Sequence, residues 1–275
     1  MHRILNINNN PKITGISTAF SQEFGPEFRF KGEIHDFWEL VCVTDGAISV
    51  AADNKIFALK KGQAILHSPM QFHNITAIGS PHSAIIVFSF SGKDIPYLQN
   101  KVFEIPDLSK VKYLLELARK YYVIRHHFSI KEPKEPSDSH LIYVKNLELF
   151  LLELANSDKS SNPKLPKSAE NYSFIVKTIN ANIEKRLSIT ELATLCNMSE
   201  INLKKTFSRY AGVGIMEYFN RIKMQKAAEL LSNGMSVKQA ALQVGFHDQN
   251  YFSTVFKRIT GQSPSRIPRH NKTEL

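Results

Sequence analysis

The chain has 275 residues, of which 43% are hydrophobic and 22% charged, proportions that exclude a mostly disordered or collagen-like protein. Its net charge of +10 is unevenly placed: residues 1–160 hold 18 Lys/Arg against 17 Asp/Glu, and residues 161–275 hold 17 against 8. A basic part beside a nearly neutral one points to a polyanionic partner for the basic part, either nucleic acid or an acidic membrane surface.

No run of ~18 apolar residues is present, so no membrane span is expected. Residues 1–10 are polar and lack the apolar core of a secretory signal. The two cysteines, Cys42 and Cys196, are far apart and without zinc-type spacing. A reduced, cytoplasmic protein is the expectation.

Up to residue 100 the pattern is short and strand-like. Residues 37–43, 47–50, 55–59, 63–66 and 83–90 are rich in β-branched and aromatic side chains. Turn signals separate them, including Asp45-Gly46, Asp53-Asn54 and Lys61-Gly62. Such spacing predicts an all-β sandwich or barrel. Helical periodicity follows over 107–122, with Val111, Leu114, Leu115, Ala118, Tyr121 and Tyr122 on one side. Residues 129–140 read as a loop. Residues 140–156 form a second helix that is apolar around most of its circumference. A helix of that kind needs cover on more than one side, from the barrel and from a second subunit. Residues 157–168, polar and proline-bearing, read as a linker. The expected division is therefore 1–156, a linker over 157–168, and 169–275.

The remainder is helical, and it repeats. Ile175, Ile179 and Ile183 form an apolar stripe, and Ser188-Ile-Thr-Glu191 has the Ser-x-x-Glu pattern of a capping box. That helix should end near Cys196, with Asn197 in a left-handed turn. Ser199 then caps a second helix ending at Gly212, which buries Leu203 and Phe207 and exposes Lys204, Lys205, Ser208 and Arg209. Two short helices joined by a tight turn, the second basic outside, describe a helix-turn-helix. A long helix follows over 215–231. The pattern then returns: Ser236 parallels Ser188 and Gly245 parallels Asn197 at an offset of 48, and Phe252, Phe256, Arg258 and Gly261 parallel Leu203, Phe207, Arg209 and Gly212 at 49. One extra residue therefore sits in the second turn, before the N-cap Asp248. The units span about 188–210 and 236–260. Each second helix suits the DNA major groove, and two on one face of a duplex should lie about one helical turn, roughly 34 Å, apart.

Residues 171–268 resemble the DNA-binding domain of AraC/XylS-type transcriptional regulators. The resemblance is carried by Leu187-Ser-Ile-Thr-Glu-Leu-Ala193, Met198-Ser199, Leu203-Lys-Lys-Thr-Phe207, Gly212, Tyr218, Arg221, Ala227-Ala-Glu-Leu-Leu231, Val244-Gly-Phe246, Asp248-Gln-Asn-Tyr-Phe252, Phe256-Lys257, Thr260-Gly261 and Ser263-Pro264. Ile267 departs from it, where the family often has an aromatic residue. The resemblance implies base contacts at Ile201, Lys204 and Lys205, with Asn202 beside them. The corresponding positions of the second unit are Gln249, Asn250, Ser253 and Thr254. A Lys can donate to guanine, Gln and Asn suit adenine, and Ile201 suits a thymine methyl. Ser199, Arg209, Lys257 and Arg258 are the phosphate-contact candidates.

The β-rich part resembles the cupin-like arm common in the same family, through His35-Asp-Phe-Trp-Glu39, Asp45-Gly46, Leu59-Lys-Lys-Gly-Gln63 and Pro69-Met-Gln-Phe-His73. The fold class expected is thus multidomain α+β: a cupin-like β-barrel with two helices, then an all-α double helix-turn-helix domain. The resemblance implies a small-molecule effector in the barrel, with His35, Trp38, Glu39 and His73 as pocket candidates. It also implies a homodimer through the 107–122 and 140–156 helices. Enzymatic cupins hold a metal through two His, a Glu and a third His. Here His35, Glu39 and His73 match three of those positions while Glu33 stands in place of the first His, so no metal or other cofactor is expected. His67, His82, His126 and His127 are expected to be ordinary core or surface histidines. No catalytic residue is assigned. The expected function is an effector-responsive activator that binds promoter DNA and works with RNA polymerase. The competing classes are a metal-dependent cupin enzyme with a DNA-binding tail and a monomeric architectural DNA binder.

Overall fold

The computed structural model describes residues 11–95, 101–124, 129–135, 137–157 and 167–267. Residues 1–10, His126, His127 and most of the 157–168 stretch lie outside that set. The chain forms two compact units, Met1–Leu165 and Pro166–Leu275.

In the first unit, strands β1 (Lys12–Phe24), β2 (Trp38–Asp45), β3 (Ala47–Ala52), β4 (Lys55–Lys60), β5 (Gln63–His67), β6 (His73–Ala77), β7 (Ser83–Lys93) and β8 (Val102–Glu104) build two antiparallel sheets, ordered β1-β7-β2-β5-β8 and β4-β3-β6. Successive side chains on a strand face opposite ways, and this sorts β2 cleanly. Val41 and Val43 join Ile65, Val87, Val50 and Ile75 in the core between the sheets. Trp38, Leu40 and Cys42 join Leu66, Phe88 and Phe90 on the opposite face. That second face is covered by helices α1 (Leu108–Tyr121) and α2 (Leu141–Asn156), which contribute Val111, Leu114, Leu147, Phe150 and Leu151. Glu148 of α2 is buried and accepts a hydrogen bond from the Ile13 amide at 2.9 Å, locking the start of β1 to the helix.

Several sequence expectations shift. Strand β1 escapes the alternation rule because its pairing with β7 slips twice, between Ile13 and Gly15 and between Ile16 and Thr18, so no single register of apolar residues marks it. Strand β6 lies in what read as motif and turn. Tyr122 leaves α1 and begins strand β9 (Tyr122–Ile124), which pairs with β10 (Ile130–Pro133) inside the expected 129–140 loop. The apolar excess of α2 is left uncovered by the described residues of its own unit: Leu141, Ile142 and Leu149 are exposed, Leu149 at 54%.

The second unit consists of α3 (Lys167–Ala181), α4 (Ile189–Leu195), α5 (Glu200–Ala211), α6 (Ile215–Ser232), α7 (Val237–Gln243) and α8 (Gln249–Thr260). Helix α3 begins within the stretch that read as linker. Both short first helices start on complete capping boxes, Ser188 with Glu191 and Ser236 with Gln239. Both end in the same way. Asn197 and Gly245 take positive φ, and the next amides, of Met198 and Phe246, donate to Ala193 O and Ala241 O at 2.9 Å each. Ser199 and Asp248 then cap α5 and α8, and Gly212 and Gly261 end them in left-handed conformation.

The two turns differ in what surrounds them, which accounts for Asn in one and Gly in the other. At Gly245 φ is +76°, and a Cβ would stand 2.4 Å from the Glu184 carbonyl oxygen and 3.0 Å from Lys223 Nζ. Nothing larger than hydrogen fits. The nearby Lys223 is the knot of the unit. Its ammonium donates to the carbonyls of Ile183 (2.6 Å), Lys185 (2.8 Å) and Val244 (2.5 Å) and stands 4.7 Å from the Phe219 ring centroid. Burial lowers its pKa to about 8, so at neutral pH it keeps its proton and all three N–H donors.

Candidate functional site

The first candidate site lies inside the β-rich unit. Glu39 of β2 points between the sheets, in register with His67 of β5 and Ser89 of β7. His73 opens β6, and the segment before β2 brings Glu33 and His35 alongside through an isolated bridge between Glu33 and His73. His73 Nε2 is 3.2 Å from Glu39 Oε1 and 3.8 Å from Glu33 Oε1. His35 Nε2 is 3.6 Å from Glu39 Oε2 and 3.9 Å from Glu33 Oε1. Ser89 Oγ donates to Glu39 Oε2 at 3.2 Å.

Both imidazoles are oriented from behind. His35 Nδ1 meets Phe37 O, and His73 Nδ1 meets Gln71 O, each at 3.0 Å. A carbonyl accepts only, so each Nδ1 carries a proton and each Nε2 is turned toward the carboxylates. Neither Nε2 has a hydrogen bond of acceptable geometry, and the same holds for the buried Nε2 of His67, whose ring stacks on His73 at 4.2 Å.

The electrostatics are those of a buried cluster of opposite charges. Burial would raise the Glu39 pKa, but His35 and His73 beside it outweigh burial and hold the carboxyl well below the usual range. Burial would lower His73, but Glu33 and Glu39 push it up to about 10. His67 goes the other way, held well below the ordinary histidine range by burial and by His73. The structure thus brings together His35, Glu39 and His73 and adds Glu33 and His67. It places Trp38 on the other face of β2, in the core beneath the helices. His67 looks isolated in sequence; only the β2–β5 register sets it opposite Glu39. His82 is on the surface, near Glu23 and Asp45.

The second candidate site is the outer face of α5 and α8. Ile201 is 81% exposed, although it is a large aliphatic residue on an ordered helix. Asn202, Lys204 and Lys205 are exposed beside it, as are Gln249, Asn250 and Thr254 on α8, while Ser253 is half-buried. Ser253 and Thr254 donate back to the carbonyls of Gln249 and Asn250. Lys204 pairs with Glu200 at 3.5 Å, and Thr190 of α4 donates to the same carboxylate at 2.6 Å, tying the first helix to the start of the second. No ion pair among the described residues engages Lys205, Arg209, Lys257 or Arg258. The inner faces hold α5 and α8 in place through the fully buried Leu203, Phe207, Phe252 and Phe256.

A β-rich unit with an inward polar cluster, in one chain with two turn-linked helix pairs, defines a ligand-binding domain followed by a helix-turn-helix domain. Comparison with known proteins agrees. Residues 19–120 match the AraC-like ligand-binding domain and residues 192–270 match a helix-turn-helix domain. The chain is 31% identical over 117 residues to the bifunctional transcriptional activator/DNA repair enzyme AdaA of Bacillus subtilis, covering 42% of this chain and 55% of that protein. It is 25% identical over 260 residues to the helix-turn-helix-type transcriptional regulator YisR of the same organism, covering 85% of this chain and 88% of YisR. The crystal structure of ToxT from Vibrio cholerae aligns with 93% of this chain and 95% of its own at 16% identity, with a TM-score of 0.37. The chain belongs to the AraC/XylS-type transcriptional regulators, DNA-binding proteins with an effector-binding domain. Among the described residues no helix is long and apolar enough to cross a membrane.

Proposed function

We propose that this protein is a sequence-specific, effector-responsive transcriptional activator that reads two adjacent major-groove segments with α5 and α8. The observation that carries the reading is the equivalence of the two helix pairs. Each has a capped first helix, a left-handed turn, a capped second helix and an exposed polar N-terminal half on that second helix. Ile201, Asn202, Lys204 and Lys205 read one segment, and Gln249, Asn250, Ser253 and Thr254 the other. Ser199, Arg209, Lys257 and Arg258 hold phosphates. The protein acts in the cytoplasm, with RNA polymerase as partner, and catalyses no reaction of its own. Its β-rich part senses an effector by binding it more tightly in one arrangement than another. A metal-dependent enzyme with a DNA-binding tail is disfavoured because YisR, matched over 85% of this chain, is named as a regulator, whereas AdaA, named also as a DNA repair enzyme, is matched over only 42% of it.

The test is a binding assay on a promoter located by genome-wide mapping of occupied sites. Lys205→Ala should lose about 1–3 kcal/mol of affinity at one base pair, and the loss should disappear when that pair is changed. Equal loss on every sequence would make Lys205 a phosphate contact, and no loss on any sequence would defeat the assignment. Transcripts beside the occupied sites should fall when the gene is deleted; a rise would mark a repressor.

The exposed Leu141, Ile142 and Leu149 of α2, with Tyr113 of α1, support a homodimer through these helices, since exposed apolar surface of this kind marks association faces. Analytical ultracentrifugation should give twice the chain mass, and Leu149→Lys should return it to one.

A further inference from the structure

We propose that Glu33, His35, Glu39 and His73 form a binding site for one divalent first-row transition-metal ion, of the zinc or cobalt type. The proposal rests on reading the β-rich unit as the ligand-binding part of the regulator, and it gives the ligand a chemistry.

Four side chains each offer one donor atom, and these atoms all lie within 4.8 Å of one another. Glu33 Oε1 stands 3.8 and 3.9 Å from the two Nε2 atoms, and Glu39 meets His73 through Oε1 at 3.2 Å and His35 through Oε2 at 3.6 Å, against roughly 3.4 Å for the edge of a tetrahedron whose centre is about 2.1 Å from each corner. The chemistry of the four atoms points the same way. With each Nδ1–H committed to a backbone carbonyl, Nε2 is the atom each imidazole turns to the carboxylate oxygens, and a metal ion binds there in place of the proton that His73 carries in the ion-free cluster. Once that proton is displaced four acceptors converge, and neither buried Nε2 makes a hydrogen bond of acceptable geometry before it is. A cation at the centre satisfies all four at once. A dication in place of that proton also cancels the two carboxylate charges, of which that of Glu39 is buried.

The backbone-carbonyl bonds at Nδ1 are the outer-shell support that orients metal-ligating histidines, and Ser89 supplies the equivalent for Glu39. Two imidazoles and two carboxylates suit zinc or cobalt and leave copper(I), which prefers sulfur, poorly served. The ligands come from three places: Glu33 and His35 from the segment before β2, Glu39 from β2 and His73 from β6. A bound ion therefore fastens that segment to both sheets, which is a physical route from ligand binding to altered structure.

The experiment uses the full chain, stripped with chelator and dialysed. Titration with Zn2+ against a chromophoric competitor should give one equivalent bound, and Co2+ should give the intense visible bands of a tetrahedral site. Glu33→Gln is the decisive variant, because Glu33 is 46% exposed at its side chain and its amide keeps the size of the carboxylate. It should weaken Zn2+ at least tenfold while the metal-free chain stays folded by circular dichroism; His73→Ala should abolish binding, and His82→Ala should leave it intact. Folded protein that binds no Zn2+ or Co2+, or binds equally well after Glu33→Gln and His73→Ala, overturns the site. Promoter binding measured on the same samples separates the two readings. Specific DNA binding by protein that takes up no metal ends the metal site and leaves the regulator standing. Metal uptake without specific DNA binding does the reverse.

Discussion

Lys223→Met should lower the unfolding temperature of the helical unit by on the order of 12 °C, read by circular dichroism on the full chain. The substitution keeps the length and apolar stem of the side chain and removes its charge and donors. Three carbonyls, those of Ile183, Lys185 and Val244, then lose a charged partner. Each unsatisfied buried acceptor costs about 1–3 kcal/mol. The Val244 contact is buried and those to Ile183 and Lys185 are partly buried, so a net loss of about 3 kcal/mol is expected, at roughly 4 °C per kcal/mol for a unit of this size. Lys223→Arg should not rescue, because a planar guanidinium cannot direct three donors from one point. A change below about 3 °C would mean that water replaces the ammonium. Function should follow stability here. Ile183 and Lys185 lie between α3 and α4, and Val244 caps α7, so Lys223 ties the first helix pair to the second. Affinity for a promoter read by both α5 and α8 should fall further than affinity for an isolated first segment.

Raising salt from 50 to 200 mM should weaken promoter binding about 40-fold or more per chain. Arg209, Lys257 and Arg258 are exposed and outside the ion pairs of the described residues. Three phosphates neutralised give a slope of about −2.7 in log affinity against log salt, and further cations steepen it. The double variant Lys257→Ala/Arg258→Ala should flatten the slope by about 2, uniformly across DNA sequences, since phosphate contacts position the protein without reading bases. A slope unchanged by the double variant would remove both residues from the interface. Sequence-dependent loss would instead make one of them a base reader.

The helical unit is largely legible in the amino-acid sequence because its determinants are local. Ser188 and Glu191 make a capping box through contacts three residues apart, Asn197 and Gly245 tolerate positive φ by their own chemistry, and Leu203 and Phe207 are one helical turn apart. Even the single extra residue of the second turn shows in the shift of the repeat from 48 to 49. The β-rich unit is legible only where a strand alternates cleanly. Register slips hide β1, and a histidine-led strand hides β6.

Interactions within a few residues are enough to set the pair of capped, turned and recapped helices, their exposed polar fronts and the segregation of charge toward them. Long-range contacts set the rest. They alone place His67 across from Glu39, turn Trp38 away from the cluster, and wrap three distant carbonyls around Lys223. These depend on strand register and on chain segments meeting across tens of residues, where shifting a strand by one residue reverses which face every side chain takes.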